Sequence, residues 1–164
     1  MSNEETMLFD KKGRIFQINR SRGGVPKTAI ERCELGLLGL QGDTQSNKEV
    51  HGGPERALCL YSLDRTLKLE TEGHSVFPGT LGENITISGL SWESVFPGVR
   101  LKTSRGVVIM VTAFTSPCTT INNYFKDRDS SRVSQKLNPG WSRVYAKVLE
   151  GGTVQIGDLI QVEN

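Results

Sequence analysis

Eighteen glycines recur along this chain between short runs rich in Val, Ile and Thr, and that spacing limits its fold more than any other feature. Glycine loses more backbone freedom on folding than any other residue and packs no side chain, so it interrupts helices and marks turns. Short β-branched runs bounded by glycine read as strands. Residues 13–19, holding Ile15, Phe16 and Ile18, form a first strand candidate, and residues 28–35 a weaker second one. Residues 36–43 carry too many glycines for the interior of a helix or strand and read as a shaped loop. The apolar run 57–61 suits a buried strand. Residues 99–103 and 107–112, joined by Ser104-Arg105-Gly106, read as a hairpin, and residues 144–149 and 153–156 flank Gly151-Gly152 in the same way. A last strand covers 159–162. The best helix spans 62–72, with Ser62 placed as N-cap and Gly73 as C-cap.

About seven strands, one or two short helices and many glycine corners make the chain mainly β. The economical architecture is a bent or closed antiparallel sheet, a β-barrel. With 164 residues, no repeat and no break in composition, one domain over residues 1–164 is expected. Unbroken apolar runs such as 107–111 fall far below the ~18 residues of a spanning helix, and the acidic start of the chain lacks the features of a secretory signal. The expectation is a cytoplasmic protein without a membrane partner. A formal charge of +2 does not supply the field of a dedicated nucleic-acid binder. Three cysteines, Cys33, Cys59 and Cys118, form no C-x-x-C pair, so neither a disulfide framework nor a zinc cage is indicated.

Common catalytic signatures fail on spacing. There is no P-loop, Gly36, Gly39 and Gly42 do not make a dinucleotide fingerprint, and His51-Gly52-Gly53 has no accompanying G-x-S-x-G elbow. What remains is a set of unusual segments. Cys118 stands where a strand gives way to a possible short helix over 119–125, a setting that favours thiolate; the alternative is a small buried filler. Cys59, inside an apolar run, reads as core, and Cys33 has no partner signal. Two glycines after His51 let backbone N–H groups approach a ligand closely, although an exposed turn histidine would look the same. His74, at a helix end, reads as a capping cation. Glu83-Asn84 could present a carboxylate and an amide at the start of a strand, or be a solvated turn. Residues 126–147 hold six basic and two acidic side chains. That excess could attract a phosphate, or could be a solvated face.

Taken in order, Gly39-Leu40-Gln41-Gly42-Asp43, the run from His51 through Gly53-Pro54-Glu55-Arg56 to Leu58, Gly82-Glu83-Asn84, Pro117-Cys118 and Gly157-Asp158 resemble the successive motifs of the MOSC domain, the C-terminal domain of molybdenum cofactor sulfurase. The likeness covers residues 26–162 and is greatest to stand-alone bacterial members. It implies a mostly β, barrel-like fold. It also implies that Cys118 is the family cysteine, which ligates molybdenum in catalytic relatives and is proposed to carry sulfur in other settings. Those relatives reduce N-hydroxylated compounds on a molybdopterin-bound metal. Two departures stand out: Thr115 occupies a position where the family usually has Arg, and stand-alone relatives carry a further C-terminal extension.

The first reading is therefore a molybdenum cofactor binding oxidoreductase that reduces N-hydroxylated or N-oxygenated small molecules, with Cys118 as metal ligand and Cys118 and His51 as catalytic residues. Gly52, Gly53, Arg56, Glu83, Asn84 and Arg143 would contact cofactor or substrate. With Thr115 in the Arg position, the anion donors would come from Arg56, Arg132, Lys136 or Arg143. No flavin, haem or nicotinamide motif is present, so electrons would come from a separate donor protein. The alternatives are a sulfur carrier or cofactor-binding module using a persulfide or metal at Cys118, and a metal-free cysteine enzyme in which His51 activates Cys118. On the first reading His51, Asn84 and Cys118 should line one cleft at the barrel rim.

Overall fold

Strand β1 (Lys12–Arg20) alternates as a half-buried strand should, with Gly13, Ile15 and Ile18 inward and Lys12, Arg14 and Phe16 outward. A register shift between Ile15 and Gln17 lets this one strand use three partners. The computed structural model describes residues 11–21, 25–43 and 53–163, and within them the remaining strands are β2 (Thr28–Ile30), β3 (Arg32–Gly36), β4 (Gly39–Leu40), β5 (Leu58–Ser62), β6 (Ile85–Ser88), β7 (Arg100–Thr103), β8 (Val108–Phe114), β9 (Val144–Glu150), β10 (Gly152–Gln155) and β11 (Leu159–Val162). One helix, α1 (Leu63–Thr71), follows β5, and short 3-10 turns include Pro54–Arg56, Thr119–Tyr124 and Ser130–Val133.

The first half of β1 pairs with β11 and its second half with β2, while β6 runs along the other side. The order β11-β7-β8-β9-β5-β6-β1 thus returns to β11 and closes a seven-strand barrel, with β2 appended beside β1. Closure removes the unpaired sheet edges that invite aggregation. Directly opposite residues share a face, so Leu60, Val144, Ile85 and Ile18 fill one level of the interior and Leu58, Ala146 and Val111 the next. All are at most 1% exposed.

Three expectations need correction. The sheet is not wholly antiparallel: β5 and β6 are parallel, since α1 carries the chain back along the barrel before β6 begins. Residues 28–35 make two strands in different sheets, and the glycine-rich segment 36–43 includes the short strand β4, returned against β3 by a turn at Leu37-Leu38. The pair flanking Gly151-Gly152 is not a hairpin. Instead β9 stays in the barrel between β8 and β5, whereas β10 pairs with β3 in a second sheet of order β10-β3-β4. The corner needs glycine because a Cβ at Gly151 would lie 2.5 Å from the Leu35 carbonyl oxygen, and Gly152 has φ +148°.

The helix is capped as the sequence implies. Ser62 accepts from the Arg65 amide, and Gly73 leaves the helix at φ +99°. His74 sits at the helix end but is buried: its backbone N–H bonds to Leu69, its ring lies against Phe125, Nδ1 accepts the Lys126 N–H, and Nε2 lies 3.8 Å from the Glu72 carboxylate. Among the described residues no helix is long and apolar enough to cross a membrane.

Replacing Gly151 by Ala forces a methyl group onto the Leu35 backbone. The expected loss of stability is about 1–3 kcal/mol, the usual range for overpacking. Urea unfolding of Gly151→Ala checks this, and an unchanged midpoint would mean that the two sheets can separate freely at this corner.

Candidate functional site

The outward face of the barrel wall is where the polar chemistry collects. Across β1, β6, β5, β9 and the end of β8, the residues that alternate with the core are Asn19, Thr86, Asn84, Cys59, Tyr61, Tyr145, Arg143 and Thr115, and all are buried. A sheet face that points away from the core yet stays buried must be roofed. Here the roof comes from the connections around 25–43, 53–57, 74–84 and 115–143.

On the β6 side the network is closed. Asn84 Oδ1 accepts the Cys59 amide at 2.9 Å, while its Nδ2 donates to Asp43 Oδ2 at 2.9 Å and to the Asn19 carbonyl. Asp43 also takes Lys27 Nζ at 2.6 Å, an ion pair with side chains only 6% and 3% exposed. Glu83 is fully buried. Its Oε1 accepts the Gly79 amide, and Oε2 takes a long bond from the Thr86 hydroxyl. Burial pushes this carboxyl up to about 7 against the pull of its own and the Gly79 amide and of Arg143. Glu83 and Asn84 are thus framework groups of the wall, each occupied with protein partners, and not a solvated turn.

On the β8–β9 side the network is open. Cys118 follows β8 on the connection leading into the 3-10 turn Thr119–Tyr124 and is partly exposed. Burial raises its thiol, but the Thr120 hydroxyl and amide, the Arg143 charge and the Ile121 amide together bring it below the ordinary thiol range. Cys59 behaves oppositely. Desolvation pushes it up to about 11 despite Arg143, as suits a packed thiol, and Cys33 is buried as well, with its thiol directed to the Gln41 carbonyl. Tyr145, carried up to about 12 mainly by burial, feels Cys59, Arg143, Arg56 and Cys118 in turn. The Arg56 guanidinium lies 5.1 Å over its ring. These groups therefore share one neighbourhood.

Arg143 is only 6% exposed, and Nη1 donates to the Leu81 carbonyl at 2.6 Å. Its Nε and the Thr115 hydroxyl are buried and, among the described residues, without a hydrogen-bond partner. The other basic side chains named from the sequence are engaged elsewhere or lie outside. Arg132 grips Glu72 through Nε and Nη2 and stacks 3.8 Å over Trp141, Lys126 bonds to the Glu72 carbonyl, Lys147 reaches Glu55, and Lys136 is exposed. Gly53 has φ +77° with open space where a Cβ would point. His51 and Gly52 lie outside the described residues. The structure thus brings Cys118, Arg143 and Arg56 together, and it sets Asn84 into the wall instead of into a cleft at the rim.

Lys27 and Tyr145 are not singled out by the sequence as site neighbours. One signal was available for Tyr145: Arg143, Tyr145 and Lys147 alternate with Val144 and Ala146 in β9, a period-two pattern that puts them on one face. A separate cavity of about 320 Å³ is lined by Trp92, Phe96, Phe114, Gln135, Pro139 and Ser142 among others, and by neither Cys118 nor Arg143.

Among the described residues no group of three His, Cys, Asp or Glu is placed to cage a metal ion. A lone partly exposed thiol, held below its ordinary range and sensing a buried, incompletely bonded guanidinium, fits a metal that arrives with its own anionic ligand and needs one soft protein donor.

The MOSC domain matches residues 47–161. Protein YiiM of Escherichia coli is 32% identical over 119 residues, spanning 70% of this chain and 52% of its own. A protein of Gibberella moniliformis named Reductase is 27% identical, spanning 99% of this chain and 31% of its own. The chain thus spans about half or less of these relatives. The crystal structure of YiiM from Geobacillus stearothermophilus superposes with a TM-score of 0.73 at 21% identity, covering 93% of this chain and 75% of that one, a likeness of fold.

Glu83 generates a pH prediction. Its folded pKa is raised from 4.5 to about 7, so between those values the folded state binds more protons than the unfolded one. Its contribution is full below pH ~4.5 and is lost as pH rises to 7, by a total on the order of 3 kcal/mol. Denaturant unfolding of wild type and Glu83→Gln at pH 5 and pH 7.5 should show this decline in wild type and a flatter response in the variant. Parallel pH curves would show that Glu83 does not titrate in this interval.

Proposed function

Because the chain belongs to the MOSC domain family, we propose that it binds the molybdenum cofactor and reduces N-hydroxylated or N-oxygenated small molecules, with electrons from a separate donor protein. The observation that carries this reading is the Cys118 thiol, partly open and held below its ordinary range by Thr120, Arg143 and Ile121. A soft thiolate suits a metal whose other ligands are the cofactor's own sulfur and oxo groups. The bound cofactor would supply the two-electron chemistry at its metal. The distant likeness to a protein named Reductase supports the oxidoreductase reading.

In this reading each residue of the chain has a limited task. Cys118 ligates. Arg143, after the Thr120 hydrogen bonds, helps to lower the thiol and would offer positive charge to the anionic part of the cofactor, and Arg56, stacked on Tyr145, lies on the same side. Gly53 N–H, with His51 and Gly52 just before it, would approach the ligand from the segment leading into Pro54–Arg56. Glu83 and Asn84 act through the wall, by fixing β5, β6 and the 78–81 connection that supplies the Leu81 carbonyl to Arg143.

Expression in a host that makes the cofactor, followed by metal and pterin analysis, tests the proposal. Wild type, Cys33→Ser and Cys59→Ser should carry near-stoichiometric molybdenum, and Cys118→Ser should fold and lose it. Metal retained by Cys118→Ser, or lost in Cys59→Ser alone, would overturn the ligand assignment. Protein without molybdenum whose Cys118 carries an added sulfur by mass spectrometry would replace this reading with sulfur transfer.

A further inference from the structure

Two side chains on the β8–β9 edge are buried and left with unused hydrogen-bonding capacity. Thr115 is 3% exposed and Arg143 6% exposed, and among the described residues neither the Thr115 Oγ1 nor the Arg143 Nε has a hydrogen-bond partner. The two residues face each other: the Thr115 amide donates to the Arg143 carbonyl at 3.0 Å, one step beyond the pair Phe114 and Val144. Side chains of opposed residues leave the same face with Cβ atoms ~5 Å apart. The unpartnered atoms therefore belong to one place and not to two separate packing defects.

Burying such groups without partners is unfavourable, and the cation adds to the deficit. A buried donor left unsatisfied costs about 1–3 kcal/mol, and a buried charge more unless it is paired. Among the described residues no carboxylate forms an ion pair with Arg143. Glu83 is near enough to be felt, but its oxygens are turned to Gly79 and Thr86. With Nη1 bonded to Leu81, the Nε side of the fork remains, the edge that binds two oxygens of a planar or tetrahedral anion. A hydroxyl beside it adds a third donor. The set is short of one negative charge and of acceptors, and it lies three residues from Cys118.

We infer that Thr115 and Arg143 form a binding site for a single oxyanion group, a phosphate ester or a carboxylate, on the outward face of β8 and β9. The site needs no metal. It extends the proposed cofactor reading only in where the oxyanion comes from: a phosphate would belong to the cofactor, a carboxylate to the substrate. It also makes Thr115 a contributor to anion binding together with the residue opposite.

Isothermal titration with inorganic phosphate and, separately, with acetate on metal-free protein tests this. Wild type should bind at least one of the two saturably, phosphate alone marking a phosphate ester site and acetate a carboxylate site. Thr115→Val, which removes the hydroxyl and keeps the shape, and Arg143→Gln should each weaken binding roughly ten- to hundred-fold, while Thr115→Ser should restore it. Arg143→Gln also loses its hydrogen-bonding geometry at Leu81, so Thr115→Val is the decisive variant if the former does not fold. Absence of saturable binding to both anions, or equal affinity in wild type and Thr115→Val, would overturn the inference and leave buried water as the partner of both atoms. Anion binding without molybdenum uptake by wild type would remove the cofactor reading and leave this site standing.

Discussion

The side-chain amide of Asn84 ties together β1, β5 and the segment around Asp43 at one point of the wall. It accepts from the Cys59 amide at the start of β5, donates to the Asn19 carbonyl in β1, and donates to Asp43, which holds Lys27. The parallel pairing of β5 and β6 begins one residue away, at Leu60 and Ile85. A parallel pair has no tight turn to set its register, so a buried side chain that reads the backbone of both neighbours performs that task. Once β6 is fixed, Glu83 fixes Gly79, and the same connection delivers the Leu81 carbonyl to Arg143. The reactive end of the wall inherits its geometry from the inert end.

The roof over that wall is held mostly by charge and aromatic stacking. Trp141 lies between the guanidinium of Arg132 at 3.8 Å and that of Arg65 at 4.6 Å, and those arginines are tied to Glu72 and Glu93. Tyr61 donates its hydroxyl to the Trp141 carbonyl, and Trp92 donates its indole N–H to that of Ser142. The segment 115–143 is thereby pinned to α1 and to the wall at several points, which is what a half-open thiol needs if its surroundings are to persist. Arg132 and Lys126 of the basic stretch 126–147 are used in this pinning, and Arg143 is the member whose charge reaches Cys118.

Much of the fold was legible in the sequence because strands announce themselves locally. Ile15 and Ile18, the run 57–61 and the glycine at the 104–106 turn each give a signal within a few residues. The failures occurred where the answer depended on distant partners. Nothing near Gly151-Gly152 says that Leu35 will stand against the corner, so a hairpin was the reasonable expectation. Nothing in Glu83-Asn84 says that Asn19, Gly79 and Thr86 will enclose them, so a solvated turn could not be separated from a buried frame. The site was legible in part for the same reason. Cys118 and Arg143 could be named from residue type and neighbours, whereas the unpartnered state of Thr115 and Arg143 exists only once β8 and β9 are side by side.

The bond pattern of β1 also governs the order in which the barrel can be completed. Its first residues, Lys12, Gly13 and Arg14, pair with Gln161, Ile160 and Leu159, so β1 waits for a strand made much later in the chain. During synthesis this edge of β1 and that of β7, the other partner of β11, remain open until β11 has left the ribosome. Contacts this distant in sequence form slowly, because a large loop must close before they contribute. Protection of these two edges during translation therefore falls to whatever the cell provides at the ribosome exit, and the yield of folded protein depends on that interval as much as on the stability of the finished barrel.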